Sequence, residues 1–158
     1  MSSAITRDAE GTVTGNTFDK YGSTNPAVRR LMAGFERTLD ELFALAAPGS
    51  ILDVGCGEGE FELAAAIEVL EHVPDPEHTV AEMARVARGG HLLVSVPREP
   101  LWRALNMARG AYLRDLGNTP GHVNHWSKRA FVRLLSQHGE VVQARSPFPW
   151  TMLLVRLA

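Results

Sequence analysis

The sequence predicts an α/β fold, a sheet with helices packed on its faces. Three observations carry that expectation. Short apolar runs alternate with segments whose apolar residues recur at helical spacing. Glycines follow the first of those runs, in Ile51–Gly59, as they do where a strand turns sharply toward a ligand. Hydrophobic residues make up 45% of the 158, enough for one core, and the chain is too short for two ordinary domains. It reads as a single domain spanning residues 1–158, with residues 1–24 as a mobile N-terminal arm.

In chain order, Ser2 to about Gly15 is rich in Ser, Thr, Gly and Ala and has little to bury. Organisation begins at Asn25-Pro26, an N-cap followed by a residue whose missing N–H costs nothing at a helix start. Val28, Leu31, Met32, Phe35, Leu39, Leu42 and Phe43 then form one apolar helix face, and Pro48-Gly49 ends it. Ile51–Val54 is a short buried strand, and Leu63–Leu70 is a second apolar run. Asp75-Pro76 caps a helix carrying Val80, Met83, Ala84 and Ala87, closed by Gly89-Gly90. Leu92–Val96 is the next strand, stopped by Pro97. Leu101–Leu116 predicts a helix ending at Gly117. Ser127 caps another, with Phe131, Leu134 and Leu135 inside, ending near Gly139. Val141–Ala144 and Met152–Leu157 are the last strands, separated by a turn containing Pro147 and Pro149.

A net charge of −2, with no long block of one sign, gives no electrostatic reason to expect nucleic acid. Cys56 is the single cysteine, so no internal disulfide forms, in keeping with a reducing compartment. Met1–Asn16 lacks the apolar core of a signal peptide, and no apolar run is long enough to span a bilayer. The expectation is a cytoplasmic protein without a membrane partner.

The segment Ile51-Leu52-Asp53-Val54-Gly55-Cys56-Gly57-Glu58-Gly59 carries the strongest functional signal. Backbone N–H groups freed at such a turn bind a carboxylate or a phosphate. A dinucleotide fingerprint counted from Gly55 would need glycine where Glu60 stands, which weakens a nicotinamide-dependent oxidoreductase. A phosphate-binding P-loop is excluded, since no Gly-Lys-Ser/Thr follows. A purely structural glycine turn is the plain alternative.

Those residues resemble the first motif of class I S-adenosylmethionine-dependent methyltransferases. Ala66-Ile67-Glu68-Val69-Leu70-Glu71-His72-Val73-Pro74-Asp75-Pro76 resembles the fourth-strand motif of that family's small-molecule branch. Gly89-Gly90 leading into Leu92–Pro97 resembles its fifth strand, and Asp19–Gly22 with Asn25-Pro26 resembles the lead-in arm of some members. The resemblance implies S-adenosylmethionine as cofactor. It places the backbone of Gly55, Cys56, Gly57 and Gly59 at the methionine end, with Asp53 orienting that loop. Glu68 and Val69 would line the wall beside the sulfonium, His72 would face the methyl acceptor, and Tyr21 would close over the cofactor.

The same resemblance exposes a gap. Between the first and fourth strands the family carries two further strands with their helices, and the second strand ends in an acid that holds the ribose. Here Gly59-Glu60 runs straight into Phe61-Glu62-Leu63. The implied fold is therefore a Rossmann-like class I methyltransferase sheet truncated on the side of the second and third strands. Chain geometry raises a separate objection, because adjacent parallel strands ordinarily need a crossover of roughly a dozen residues or more. The Ile51 strand is then expected to pair antiparallel or to swap into a neighbouring molecule, unless the natural chain carries further residues between Glu60 and Phe61. The last is favoured. As an apolar edge, that strand also suggests a homodimer or strand-swapped dimer.

Methyl transfer requires positioning of donor and acceptor, and a base only where the acceptor must lose a proton. His72 is the first catalytic candidate, since its motif sets it just past a strand's carboxyl end. The alternative is that it merely caps the loop before Pro74. Gly121-His122-Val123-Asn124-His125-Trp126 joins two helices and resembles the acceptor-side segment of related methyltransferases. By that likeness His125 is a second catalytic candidate, with His122 and Trp126 binding substrate. Otherwise Trp126 packs the next helix and the histidines are hydrogen-bonded or solvated. His122 and His125 are spaced as a zinc pair would be, but no third ligand is visible, so no metal is expected. Arg98, Arg103, Arg109 and Arg114 face either an anionic substrate or, more commonly, solvent. Trp102, Met107 and Tyr112 read as packing residues. The functional expectation is methyl transfer from S-adenosylmethionine to a small-molecule acceptor. A non-catalytic or truncated scaffold with weak or no cofactor binding is the alternative.

Overall fold

The computed structural model describes residues 6–7, 13–14, 23–53 and 61–158. In the segment read as an arm, β1 (Thr6–Arg7) pairs antiparallel with β2 (Val13–Thr14). Helix α1 (Pro26–Ala46) starts where the sequence places it. Asn25 Oδ1 accepts from the N–H of Ala27 at 2.9 Å, satisfying one of the helix's orphan donors, and Pro26 occupies the first turn. Its apolar face buries Met32, Phe35 and Leu42.

Strands β3 (Ile51–Asp53), β4 (Leu63–Ile67), β5 (His91–Pro97), β6 (Gly139–Arg145) and β7 (Trp150–Leu157) form a five-stranded sheet in the order β3-β4-β5-β7-β6. The first three are parallel, and β7 runs antiparallel to both of its neighbours. Alternation along β5 divides the core. Leu92, Val94 and Val96 face α2 (Pro76–Val86) and α4 (Lys128–Leu135), meeting Val80, Met83, Phe131 and Leu135. Leu93 points to the other side, with Met32, Phe35 and Leu42 of α1. Burying a side chain such as Phe35 stabilises by roughly 2–3 kcal/mol, so these two faces dominate the fold. Sequence capping holds for α2 and α4 as well. Asp75 accepts from the N–H of His78 at 3.0 Å, and Ser127 from that of Ala130 at 3.2 Å.

Two expectations are corrected. First, of the alternatives stated for the Ile51 strand, antiparallel pairing is not found: β3 pairs parallel with β4, Ile51 beside Leu63 and Asp53 beside Ala65. The ladder is only three residues long, so the return along the strand direction is about 7 Å at ~3.3 Å per residue. Second, α3 covers Leu101–Ala108 and not the whole stretch to Leu116. Gly110 takes a φ of +76° just past the end. The N–H of Ala111 reaches the carbonyl of Asn106 at 2.8 Å, and that of Gly110 reaches Met107 at 2.9 Å. That pair of bonds is a Schellman stop. The chain then makes a 3-10 turn at Leu113–Asp115. The truncation itself is as expected. Among the described residues no strand pairs with the outer edge of β3, and Ile51 is 47% exposed there.

Candidate functional site

The parallel strands β3, β4 and β5 deliver their carboxyl ends to one edge of the sheet, where α/β proteins bind ligands. A cavity of about 450 Å³ opens there. Its walls come from α1 (Val28, Leu31, Met32), the β4–α2 loop (Glu68, Glu71, His72), α3 (Trp102, Leu105, Asn106, Arg109) and the segment after it (Tyr112, Thr119, Pro120, His122). Phe148, Pro149 and Trp150 close it from the β6–β7 turn.

Glu68, just past the end of β4, has a φ of +59°, a left-handed conformation that ordinary side chains adopt at a cost. Its surroundings fix it there. Its N–H donates to the carbonyl and the hydroxyl of Ser95, each at 3.2 Å, and the Ser95 hydroxyl lies 3.4 Å from Glu68 Oε1. Trp150 Nε1 donates to Glu68 Oε2 at 2.7 Å. Trp150 is itself clamped edge-on by Phe35, with ring centroids 4.9 Å apart. A carboxylate is thereby held at a cavity wall by elements 82 residues apart.

One turn on, His72 Nδ1 lies 2.9 Å from the carbonyl oxygen of Gly121. A carbonyl can only accept, so Nδ1 carries the proton, and in the neutral ring Nε2 is left with a lone pair. Asn124 fastens this loop to the segment carrying His122. Its Nδ2 donates to the carbonyls of Leu70 at 3.1 Å and Val73 at 2.6 Å. The N–H groups of Val123 and Asn124 both reach the carbonyl of Glu71. The His72 and His122 rings meet edge-on at 4.8 Å, and Trp102 stacks on His122 at 6.2 Å. Thr119 Oγ1 accepts from Trp102 Nε1 at 2.9 Å and from the buried Asn106 at 3.1 Å, which holds the outer wall.

The structure gathers His72, His122 and Glu68 around this cavity. It leaves others outside. His125 is exposed, with Nε2 2.6 Å from Asn118 Oδ1. Trp126 packs against Phe131 at 5.6 Å in the core, the plain alternative stated for it. Val69 packs into that same core cluster. Tyr21, Gly55, Cys56, Gly57 and Gly59, and the side chain of Asp53, lie outside the described residues. Of the four arginines only Arg109 lines the cavity, while Arg103 Nε donates to the carbonyl of Leu116 at 3.1 Å. Trp102, read as a packing residue, does pack against the core beside Trp150 and also walls the cavity, as does Tyr112. Ser95, Asn106, Thr119, Asn124 and Trp150 were not singled out from the sequence. Only the functional richness of Gly121–Trp126 hinted at Asn124. Outside the cavity lining, burial pushes the Glu99 carboxyl above the ordinary carboxylate range, against the backbone N–H of Arg103 and the charges of His125 and Arg103, which pull it down.

A three-layer α/β sheet with an antiparallel penultimate strand and a cavity at the carboxyl ends of its parallel strands defines a Rossmann-like methyltransferase fold. The sequence model of the methyltransferase domain family matches residues 59–144, more than half of the chain, and the chain belongs to that family. Among solved structures it is similar to magnesium protoporphyrin IX methyltransferase from Synechocystis PCC 6803 with bound SAH. There the identity is 12%, the TM-score 0.60, and the match covers 87% of this chain and 90% of that one. A possible histamine N-methyltransferase from Thermotoga maritima matches at 14% identity and a TM-score of 0.50, over 67% of this chain and 60% of that one. The putative methyltransferase of Haloferax volcanii, in complex with the Trm112 activator, matches at 13% identity and a TM-score of 0.49, over 66% and 57%. The chain thus spans about three-fifths of the Thermotoga and Haloferax structures. Comparison with curated proteins found no match. No helix among the described residues is long and apolar enough to cross a membrane.

Proposed function

We propose that this chain transfers a methyl group from S-adenosylmethionine to a small-molecule acceptor bound in the cavity. The observation that carries the reading is Glu68, held in a strained backbone conformation at the end of β4 by Trp150 and Ser95, on the wall of a ligand-sized cavity. Strain of this kind persists only where the surrounding structure over-determines it, and it gathers at working sites.

The residues present fit the cofactor at one end. The carboxyl ends of β3 and β4 offer a wall with a fixed carboxylate suited to a cationic sulfur, whereas no described element lies beyond β3 to hold a ribose and an adenine. When bound, S-adenosylmethionine supplies a methyl group already activated by its positive sulfur. What remains for the protein is positioning and exclusion of water. The volume of about 450 Å³ suits a drug-sized metabolite. Val28, Leu31, Met32, Leu105 and Phe148 would surround the acceptor's apolar body, and Trp102 and Tyr112 offer flat faces to it. His72 Nε2 would receive the acceptor's proton, its ring set by the Gly121 carbonyl. Arg109 at the rim would favour an acceptor with an anionic tail.

The test is incubation of the purified chain with methyl-labelled S-adenosylmethionine and a panel of small phenols, hydroxy acids and amines. Label should pass to at least one acceptor, and His72→Ala should lower the rate by about a hundredfold. A folded chain that labels none of them, and binds no S-adenosylhomocysteine, would instead be the non-catalytic scaffold.

A further inference from the structure

We propose that Glu71, His72 and His122 form a binding site for a divalent transition-metal ion at the floor of the cavity. Each of the three offers one ligand atom, and all those atoms lie within 4.8 Å of one another. The donor set is two imidazoles and one carboxylate, the combination that selects ions such as Zn²⁺, Fe²⁺ or Mn²⁺ over Mg²⁺ or Ca²⁺, which prefer oxygen alone. In a tetrahedral site with metal–nitrogen bonds of about 2.0–2.1 Å, ligand atoms stand about 3.3 Å apart. Side-chain rotation of the order of 1 Å would close the present cluster onto an ion.

Three further features make the cluster more than a chance approach. His72 already presents the tautomer that a ligand requires, because its Nδ1 proton is committed to the Gly121 carbonyl and Nε2 is left to coordinate. The two strips of chain bearing the ligands are tied together by four hydrogen bonds: Asn124 Nδ2 to Leu70 and Val73, and the N–H groups of Val123 and Asn124 to Glu71. The group is also asymmetric in exposure. Glu71 and His122 are 1% and 8% exposed, while His72 opens to solvent and to the cavity. Three protein ligands on one side would leave the ion's remaining positions facing the acceptor space, the arrangement of a catalytic rather than a structural site.

The ion's consequence for the acceptor rests on the methyl-transfer reading. An acceptor hydroxyl bound to the ion would lose its proton to water at a lower pH than in solution. With the ion in place His72 would serve as a ligand and not as the base. The substrate class would then be an oxygen acceptor, most simply one with a second oxygen able to chelate.

The site itself is tested without cofactor or acceptor. The chelator-stripped full-length chain is titrated with Co²⁺ and followed by visible absorption, with Zn²⁺ competition to displace it. One equivalent should bind, with d–d bands of a four- or five-coordinate nitrogen–oxygen site. His72→Ala, an exposed change that leaves the core intact, should weaken binding at least about tenfold. His138→Ala, remote from the cavity, should leave it unchanged. Absence of saturable binding would overturn the site and make the cluster a buried polar contact only. So would binding that survives both His72→Ala and His122→Ala. Neither result touches methyl transfer itself, although one bound equivalent would move His72 from base to metal ligand; inactivity toward acceptors would not touch the site.

Discussion

Replacing Asn124 with alanine should loosen both histidines of the cavity floor, and the loss can be estimated from the structure. The side chain gives two hydrogen bonds, to Leu70 and Val73, and no other side chain bonds those two carbonyls among the described residues. At about 1 kcal/mol net for each bond, the variant loses about 2 kcal/mol. With a urea dependence near 2 kcal/mol per molar for a domain of this size, the midpoint should fall by about 1 M with the slope unchanged. Asn124→Asp, equal in size but without donors, sets a carboxylate against two carbonyl oxygens and should cost more. Because the bonds from Val123 and Asn124 N–H to Glu71 remain, the fold should survive. Turnover should fall in both variants, since His72 is oriented through Gly121 on the same segment. A midpoint that moves by less than about 0.2 M in the alanine variant would show that water replaces both bonds, and would refute the claim that Asn124 fastens the two strips of chain.

Four other outcomes follow from particular residues. Glu68→Gln keeps an oxygen for Trp150 but removes the charge, so affinity for cationic S-adenosylmethionine should drop about tenfold, roughly 1.4 kcal/mol, while affinity for neutral S-adenosylhomocysteine holds; calorimetry with both ligands reads the difference. Trp150→Phe retains the packing on Phe35 and loses the donor to Glu68, and urea unfolding should register a loss of about 2 kcal/mol. Glu99 has its carboxyl raised by burial, so the native state holds that proton more tightly than the unfolded chain. Its stabilising contribution is full below about pH 4 and is lost as pH rises through the raised value, so Glu99→Gln should gain stability relative to the parent between pH 4 and 7 in paired thermal melts. Gly110→Ala meets no atom within 4 Å, so its cost should be the left-handed backbone alone, about 1 kcal/mol by urea unfolding.

What the sequence disclosed and what it hid divide along physical lines. Local chemistry was legible: Asn25-Pro26, Asp75-Pro76 and Ser127 start their helices because capping depends on a few neighbouring atoms. The apolar runs at β4, β5 and β7 found their strands, and motif order placed β3 at the edge of a truncated sheet. The overlong α3 came from reading helical spacing through Gly110, although that glycine was the stop signal. The objection to parallel pairing of β3 and β4 assumed strands of ordinary length, whereas their ladder is three residues long. At the site, His72 and Glu68 were legible through their motif. The Trp150–Glu68 bond was not, because a period-two strand pattern does not say what its first residue reaches. Likewise nothing local announces that Glu71 and His122, 51 residues apart, converge with His72. His125 and Trp126 show the reverse, functional side chains in a promising segment that the fold turns elsewhere.

The central claim is that the chain, with no strand beyond β3 among the described residues, has a working cofactor site. Calorimetric titration of the folded, mass-verified chain with S-adenosylhomocysteine tests it most directly. The account predicts saturable binding in the micromolar range with one site per chain. Absence of heat at millimolar ligand, from a sample folded by circular dichroism, would contradict it and leave a methyltransferase fold without the function.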